Sequence, residues 1–186
     1  MDPDANVVRI LGLDPGLRVT GYAVIEGRTS GITLCEAGVI RLASKARLEN
    51  RLKELFDSLC ELINNWQPSV AALEELFAHA LHPRTAVLMG HARGVICLAC
   101  AQANLPIAHY SATQVKKMLT ASGRAPKAQI QRVIARELGL DGIVEPPDVA
   151  DAIALALCHY HTWRRQGLMG PLLGRHKRLQ SLSNRA

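Results

Sequence analysis

The chain has 186 residues, 48% hydrophobic and 20% charged, which suits one compact domain with a buried core and excludes wholesale disorder or a fibrous repeat. Its net charge of +6 points to an anionic partner, and its longest apolar runs, Val95 to Ala103 and Ala152 to Cys158, are too short to span a bilayer. The N-terminus MDPDANVVRI has no basic leader and the five cysteines sit in apolar or helical surroundings, so we expect a soluble cytoplasmic protein with reduced thiols and no membrane partner.

Val7 to Leu13 reads as a buried strand, and Thr20 to Ile25 and Ile32 to Leu42 continue as β-branched runs separated by glycine-bearing turns. From Leu48 the period changes. Leu48, Leu52, Leu55, Phe56, Leu59, Leu62 and Ile63 recur at helical spacing up to Trp66-Gln67-Pro68, which predicts an amphipathic helix. Ser69 to Leu73 follows as a short strand, His82 and Pro83 as a loop, Arg84 to Ala103 as a second helix and Pro106 to Tyr110 as a fifth strand. Thr113 to Thr120 and Lys127 to Leu138 are shorter helices flanking the basic loop 121–126. Pro146 and Pro147 set up a last helix from about Asp148 to Arg165, ended by Gly167. The order predicts an α/β fold with a mixed five-stranded sheet flanked by helices, antiparallel first and parallel later. It occupies residues 1–165, with 166–186 as a basic, flexible tail.

Charge is segregated along this frame. Residues 1–75 hold eight bases and eleven acids, 76–136 eight bases and no acid, 137–163 five acids and no base, and 164–186 six bases and no acid. An acid-free basic stretch is the footprint of a polyanion, and nucleic acid is the natural candidate.

The acids suggest the chemistry. Asp14 ends the first strand, and Glu74 follows Val70-Ala71-Ala72-Leu73 at the end of the fourth. If those strands are neighbours, both carboxylates project at one sheet edge. Asp148 and Asp151 are three residues apart at the start of the last helix and share a face. Four such carboxylates repel one another unless a divalent cation sits among them, and hard oxygen donors favour Mg²⁺ or Mn²⁺. Two ions about 4 Å apart activate water and stabilise the leaving oxygen in phosphodiester hydrolysis. Singly, each acid has a plainer role, in a turn, at a helix N-terminus or on the surface; the combination favours a metal site.

The stretches LGLDPGLRVTGYAV, ALEELF followed by GHARG, QVKKMLTASGRAPKAQI and PPDVADAIALALCH together make residues 7–161 resemble the RuvC-type Holliday-junction resolvases, or crossover junction endodeoxyribonucleases. The resemblance implies an RNase H-like fold and a homodimer that symmetrically nicks opposing strands of four-way junction DNA in recombination and repair, in a bacterial cytoplasm, beside a branch-migration complex of the RuvA-RuvB type. It carries the family's four metal-binding catalytic acids onto Asp14, Glu74, Asp148 and Asp151. Glu75, on the opposite side of the pleat, is passed over for Glu74. Phe77 matches an aromatic that stacks on bases at the junction centre, and Lys116 and Lys127 match DNA-contacting lysines, with Lys117 and Arg124 assisting. The loop Ser122-Gly123-Arg124-Ala125-Pro126 departs from the family's glycine-richer or acid-bearing loop, which bears on sequence preference.

Other signals carry less. Cys97 and Cys100 have metal-like spacing but lie in an apolar helix without a second pair, and His159 and His161 read as structural histidines. Asp14-Pro15-Gly16 with Thr20-Gly21 is similar to the phosphate-binding hairpin of actin-like ATPases and sugar kinases, but 186 residues leave little room for two large lobes and a second nucleotide-gripping loop. Two other functions compete: a non-catalytic junction-binding subunit, and an RNase H-like nuclease of structured RNA. Paired nicking of a four-way junction in Mg²⁺ separates the first, and competition between branched DNA and folded RNA the second.

Overall fold

The computed structural model describes residues 7–75 and 83–183, with side chains described within 7–75 and 86–167. The strands are β1 (Val8–Asp14), β2 (Val19–Gly27), β3 (Ile32–Arg41), β4 (Val70–Glu74) and β5 (Ile107–Tyr110). The helices are α1 (Leu48–Trp66), α2 (Pro83–Gln102), α3 (Ala112–Thr120), α4 (Lys127–Leu138) and α5 (Pro147–Ser183). The sheet order is β3-β2-β1-β4-β5. The first three strands pair antiparallel, whereas β4 lies parallel to both β1 and β5. This is the mixed five-stranded sheet expected from the sequence.

The alternation of side chains along each strand divides the core in two. Val8 and Ile10 of β1 and Val70 and Ala72 of β4 face α3, α4 and α5, packing with Ile153, Leu157, Ile130 and Ile134. Leu11, Leu13, Ala71 and Leu73 face the other way, onto Leu55, Leu59 and Leu62 of α1 and Ala92, Ile96 and Cys100 of α2. The two helical layers therefore bury opposite residue parities of the same strands.

The layers approach the sheet differently. Under α5 the strands carry glycines: a Cβ on Gly12 would stand 2.1 Å from the Ala152 carbonyl oxygen, and one on Gly21 2.0 Å from that of Asp148. Only a residue without Cβ lets the helix backbone lie so close. Under α1 the contact is made by large aliphatic side chains instead.

Most element boundaries lie within one or two residues of expectation, Pro83 opening α2 where the sequence predicts a loop, and one differs widely. The last helix starts at Pro147, as a proline in the first turn should, but it runs to Ser183, past the Gly167 where the sequence places its end. Gly167 has no positive φ and a Cβ there would meet open space. An exposed glycine in that conformation costs a helix only about 1 kcal/mol and does not terminate it.

All five cysteines are free, and Cys100 belongs to the core against α1, so the Cys97/Cys100 spacing reflects helix packing. Burial pushes the Cys100 and Cys158 thiols up to about 12. No helix among the described residues is long and apolar enough to cross a membrane.

Candidate active site

The pleat that sorts the core also places the acids. Asp14 shares the parity of Ile10 and Gly12, and Glu74 that of Val70 and Ala72, so both point to the α5 side of the sheet. The parallel register pairs Leu13 with Leu73, which sets Asp14 and Glu74 side by side at the carboxyl ends of adjacent strands. Their carboxyl groups lie within hydrogen-bonding reach of each other. Glu75 has the opposite parity and is exposed; its backbone N–H donates to the Tyr110 carbonyl at 2.8 Å.

Helix α5 brings the second pair. Asp148 lies in its first turn, where the dipole favours an acid, and Asp151 is one turn on. Gly21, the residue paired with Asp14 across β1 and β2, is the glycine on which the Asp148 backbone rests. The approach to α5 is pinned by Gln131, which donates to the Val144 carbonyl at 3.1 Å and accepts from the Val144 N–H at 3.1 Å. On the far side, Arg93 of α2 donates to the Glu74 carbonyl and lies 2.8 Å from His109 Nδ1. The positioning roles of Gly21, Gln131 and Arg93 depend on contacts between distant segments. Only Gly21 and Arg93 stand within the stretches quoted above, and there as part of a pattern.

The electrostatics are those of crowded like charges. Burial, then the Glu74, Asp151 and Asp148 carboxylates, push the Asp14 carboxyl from its ordinary 3.8 up to about 8. Burial also raises Glu74, although the hydrogen bond with Asp14 pulls it down. Among the described residues no group of three or more His, Cys, Asp or Glu side chains is arranged, as it stands, to hold a metal ion. The donor set is nonetheless of the kind a hard divalent ion takes: carboxylate oxygens only, partly desolvated, and in mutual repulsion.

A family model for crossover junction endodeoxyribonuclease RuvC matches residues 10–159. The chain belongs to the RuvC family. It is 52% identical over 152 residues to the crossover junction endodeoxyribonuclease RuvC of Rhodopirellula baltica, covering 81% of this chain and 85% of the relative. It is 45% identical over 153 residues to that of Caldicellulosiruptor saccharolyticus, covering 82% and 92%. RuvC of T. thermophilus, solved in complex with a Holliday junction substrate, matches with a TM-score of 0.80 at 26% identity, covering 85% of this chain and 96% of that one. The yeast mitochondrial Holliday junction resolvase Ydc2 shares the fold, with a TM-score of 0.63 at 15% identity over 86% of this chain and 81% of that one. The fold is RNase H-like.

In this RuvC-family chain two of the acids, Glu74 and Asp151, open onto a cleft of about 220 Å³ between α3, α4 and α5, lined also by Lys116, Lys127 and Gln131. A reciprocal capping box, Ser111 with Gln114, starts α3 directly after β5. Val115 and Leu119 then bury inward, leaving Lys116 on the cleft wall. Lys127 is the first residue of α4, and its Nζ donates to Asp151 Oδ2 at 3.1 Å. That bond, reinforced by Asp14 and Asp148, raises the Lys127 ammonium above its usual range. Lys117 and Arg124 are exposed and do not line the cleft. Phe77 lies outside the described residues.

His159 and His161 have structural partners. His159 Nδ1 lies 2.8 Å from the Tyr110 hydroxyl, with burial lowering its proton affinity, and His161 pairs with Glu137 at 2.8 Å.

Proposed function

We propose that the chain resolves four-way DNA junctions by metal-dependent phosphodiester hydrolysis, nicking two opposing strands symmetrically as a homodimer. The observation that carries this reading is the gathering of Asp14, Glu74, Asp148 and Asp151 from two strands and a helix at one end of the sheet, beside a cleft walled by Lys116 and Lys127. The four carboxylates hold Mg²⁺, with Mn²⁺ able to substitute, as two ions per site. Bound there, the ions supply the charge that activates water and stabilises the leaving oxygen during in-line attack.

The rest is done by the chain's own groups. Asp14 and Glu74 are fixed by the sheet and Asp148 and Asp151 by α5, so all four are preorganised on rigid elements. Lys116 and Lys127 neutralise phosphates at the cleft, with Lys117 and Arg124 adding weaker, more distant attraction. Phe77 stacks on bases at the junction centre. Residues 1–165 form the nuclease unit and 166–186 a basic extension. The protein works in the bacterial cytoplasm with a branch-migration complex of the RuvA-RuvB type.

The test is direct. Purified protein incubated with a synthetic four-way junction and Mg²⁺ should give paired, ligatable nicks, and chelation should abolish them. An uncut junction under saturating binding would overturn the proposal in favour of a junction-binding subunit.

A further inference from the structure

Lys127 stands in an unusual electrostatic position. It is the first residue of α4, a helix with no acid in its first turn and no side-chain cap. A cation there meets the positive end of the helix dipole. Its Nζ turns instead to Asp151 Oδ2 at 3.1 Å, one of the four acids assigned above to the metal. Both partners are solvent-accessible, with side-chain exposures of 76% for Lys127 and 43% for Asp151, so the lysine is free to swing. Lys116 lines the same cleft from α3, whereas its neighbour across the cleft holds the carboxylate.

We infer that Lys127 and a divalent cation compete for Asp151, so that metal binding releases the Lys127 ammonium to DNA phosphate. The inference rests on the metal-site reading above. An ion on Asp151 withdraws the lysine's partner and adds a repelling charge, while the α4 terminus repels it from the other side. With the charges of Asp14, Glu74 and Asp148 offset by the same ion, a phosphate at the cleft becomes the partner for the freed ammonium. Metal and DNA then favour each other through one side chain: the ion frees a phosphate contact, and a phosphate that captures Lys127 clears a ligand for the ion. Linkage requires the two effects to be equal in size.

Two measurements on the full chain test this, both independent of cleavage. Isothermal titration with Mn²⁺ alone compares the wild type with Lys127→Met, Lys116→Met and Asp14→Asn. Loss of a largely exposed competing ion pair should make Lys127→Met bind Mn²⁺ about three- to fivefold more tightly, and more tightly than Lys116→Met. Limited acylation followed by mass spectrometry then compares lysines with and without Mg²⁺. The rate at Lys127 should rise about threefold, while exposed Lys117 serves as an unchanged control. A Lys127 rate that stays level or falls with Mg²⁺ overturns the inference, as does an equal effect of the two lysine substitutions on Mn²⁺ affinity. If Asp14→Asn weakens Mn²⁺ binding while Lys127→Met fails to tighten it, the competition alone is refuted. If Asp14→Asn leaves Mn²⁺ binding untouched, the metal-site reading fails and the inference falls with it.

Discussion

Leu13 and Asp14 are adjacent in the chain and serve opposite faces of one sheet. The face towards α1 and α2 is filled by Leu11, Leu13, Leu55, Leu59 and Ile96. The face towards α5 is also apolar for most of its length, but ends in Asp14 and Glu74 and is approached so closely that Gly12 and Gly21 lie beneath helix carbonyls. One face serves mainly to hold the sheet rigid; the other converts that rigidity into the placement of four carboxylates. The contrast comes from a single period of two: a one-residue slip of β1 against β4 would turn Asp14 to the leucine face and part it from Glu74, which would stay on the α5 side.

The sharpest way to break this comparison is Asp14→Asn. It removes an ion ligand without adding bulk, so nicking should fall by at least about a thousandfold, roughly 4 kcal/mol of barrier. Junction binding and far-UV circular dichroism should be retained. Normal cleavage would separate the acid cluster from the chemistry.

Next in size come paired packing changes on the two faces. Leu59→Ala, in the α1 layer, should lower stability by about 2–5 kcal/mol in urea unfolding, with nicking per folded molecule unchanged. Gly21→Val forces a side chain against the Asp148 carbonyl and should cost about 1–3 kcal/mol, but here nicking per folded molecule should fall as α5 moves off β2. Equal activity losses from the two would erase the distinction between the faces.

A pH series sharpens it further. The native Asp14 pKa, about 8, lies above its ordinary 3.8. Between those values the folded chain therefore binds a proton that the unfolded chain has lost, and stability falls as pH rises through that window. The slope from this group is at most about 1.4 kcal/mol per pH unit. Thermal melts of chelator-treated protein from pH 5 to 8 should show the decline. Asp14→Asn should flatten it, and Mg²⁺ should stabilise the wild type more at pH 8 than at pH 5.

The smallest effect belongs to the cleft wall. Lys116→Ala should weaken junction binding and reduce the slope of log K against log salt by about one. Lys117→Ala, off the cleft, should change that slope less, and fluorescence anisotropy across a salt series distinguishes the two.

Much of this architecture is legible in the chain. The period-two runs and the Leu48–Ile63 helical spacing lead to the observed element order, and strand-end acids at Asp14 and Glu74 with a paired Asp148 and Asp151 mark a candidate site, because local periodicity dictates local geometry. The Gly167 stop fails for the same reason: a glycine ends a helix only where the backbone adopts a left-handed turn, and composition alone does not reveal which glycine does so.

Other features belong to the folded molecule. The β1–β4 register that pairs Leu13 with Leu73, the seating of α5 on Gly21, the Arg93 hold on Glu74 and the Lys127 bond to Asp151 all join segments far apart in the chain. The linear order of residues determined which groups could do the chemistry and which elements would carry them. Their meeting at one end of the sheet was decided by tertiary packing, since contacts across such separations depend on how whole elements stack and not on the residues that flank each group.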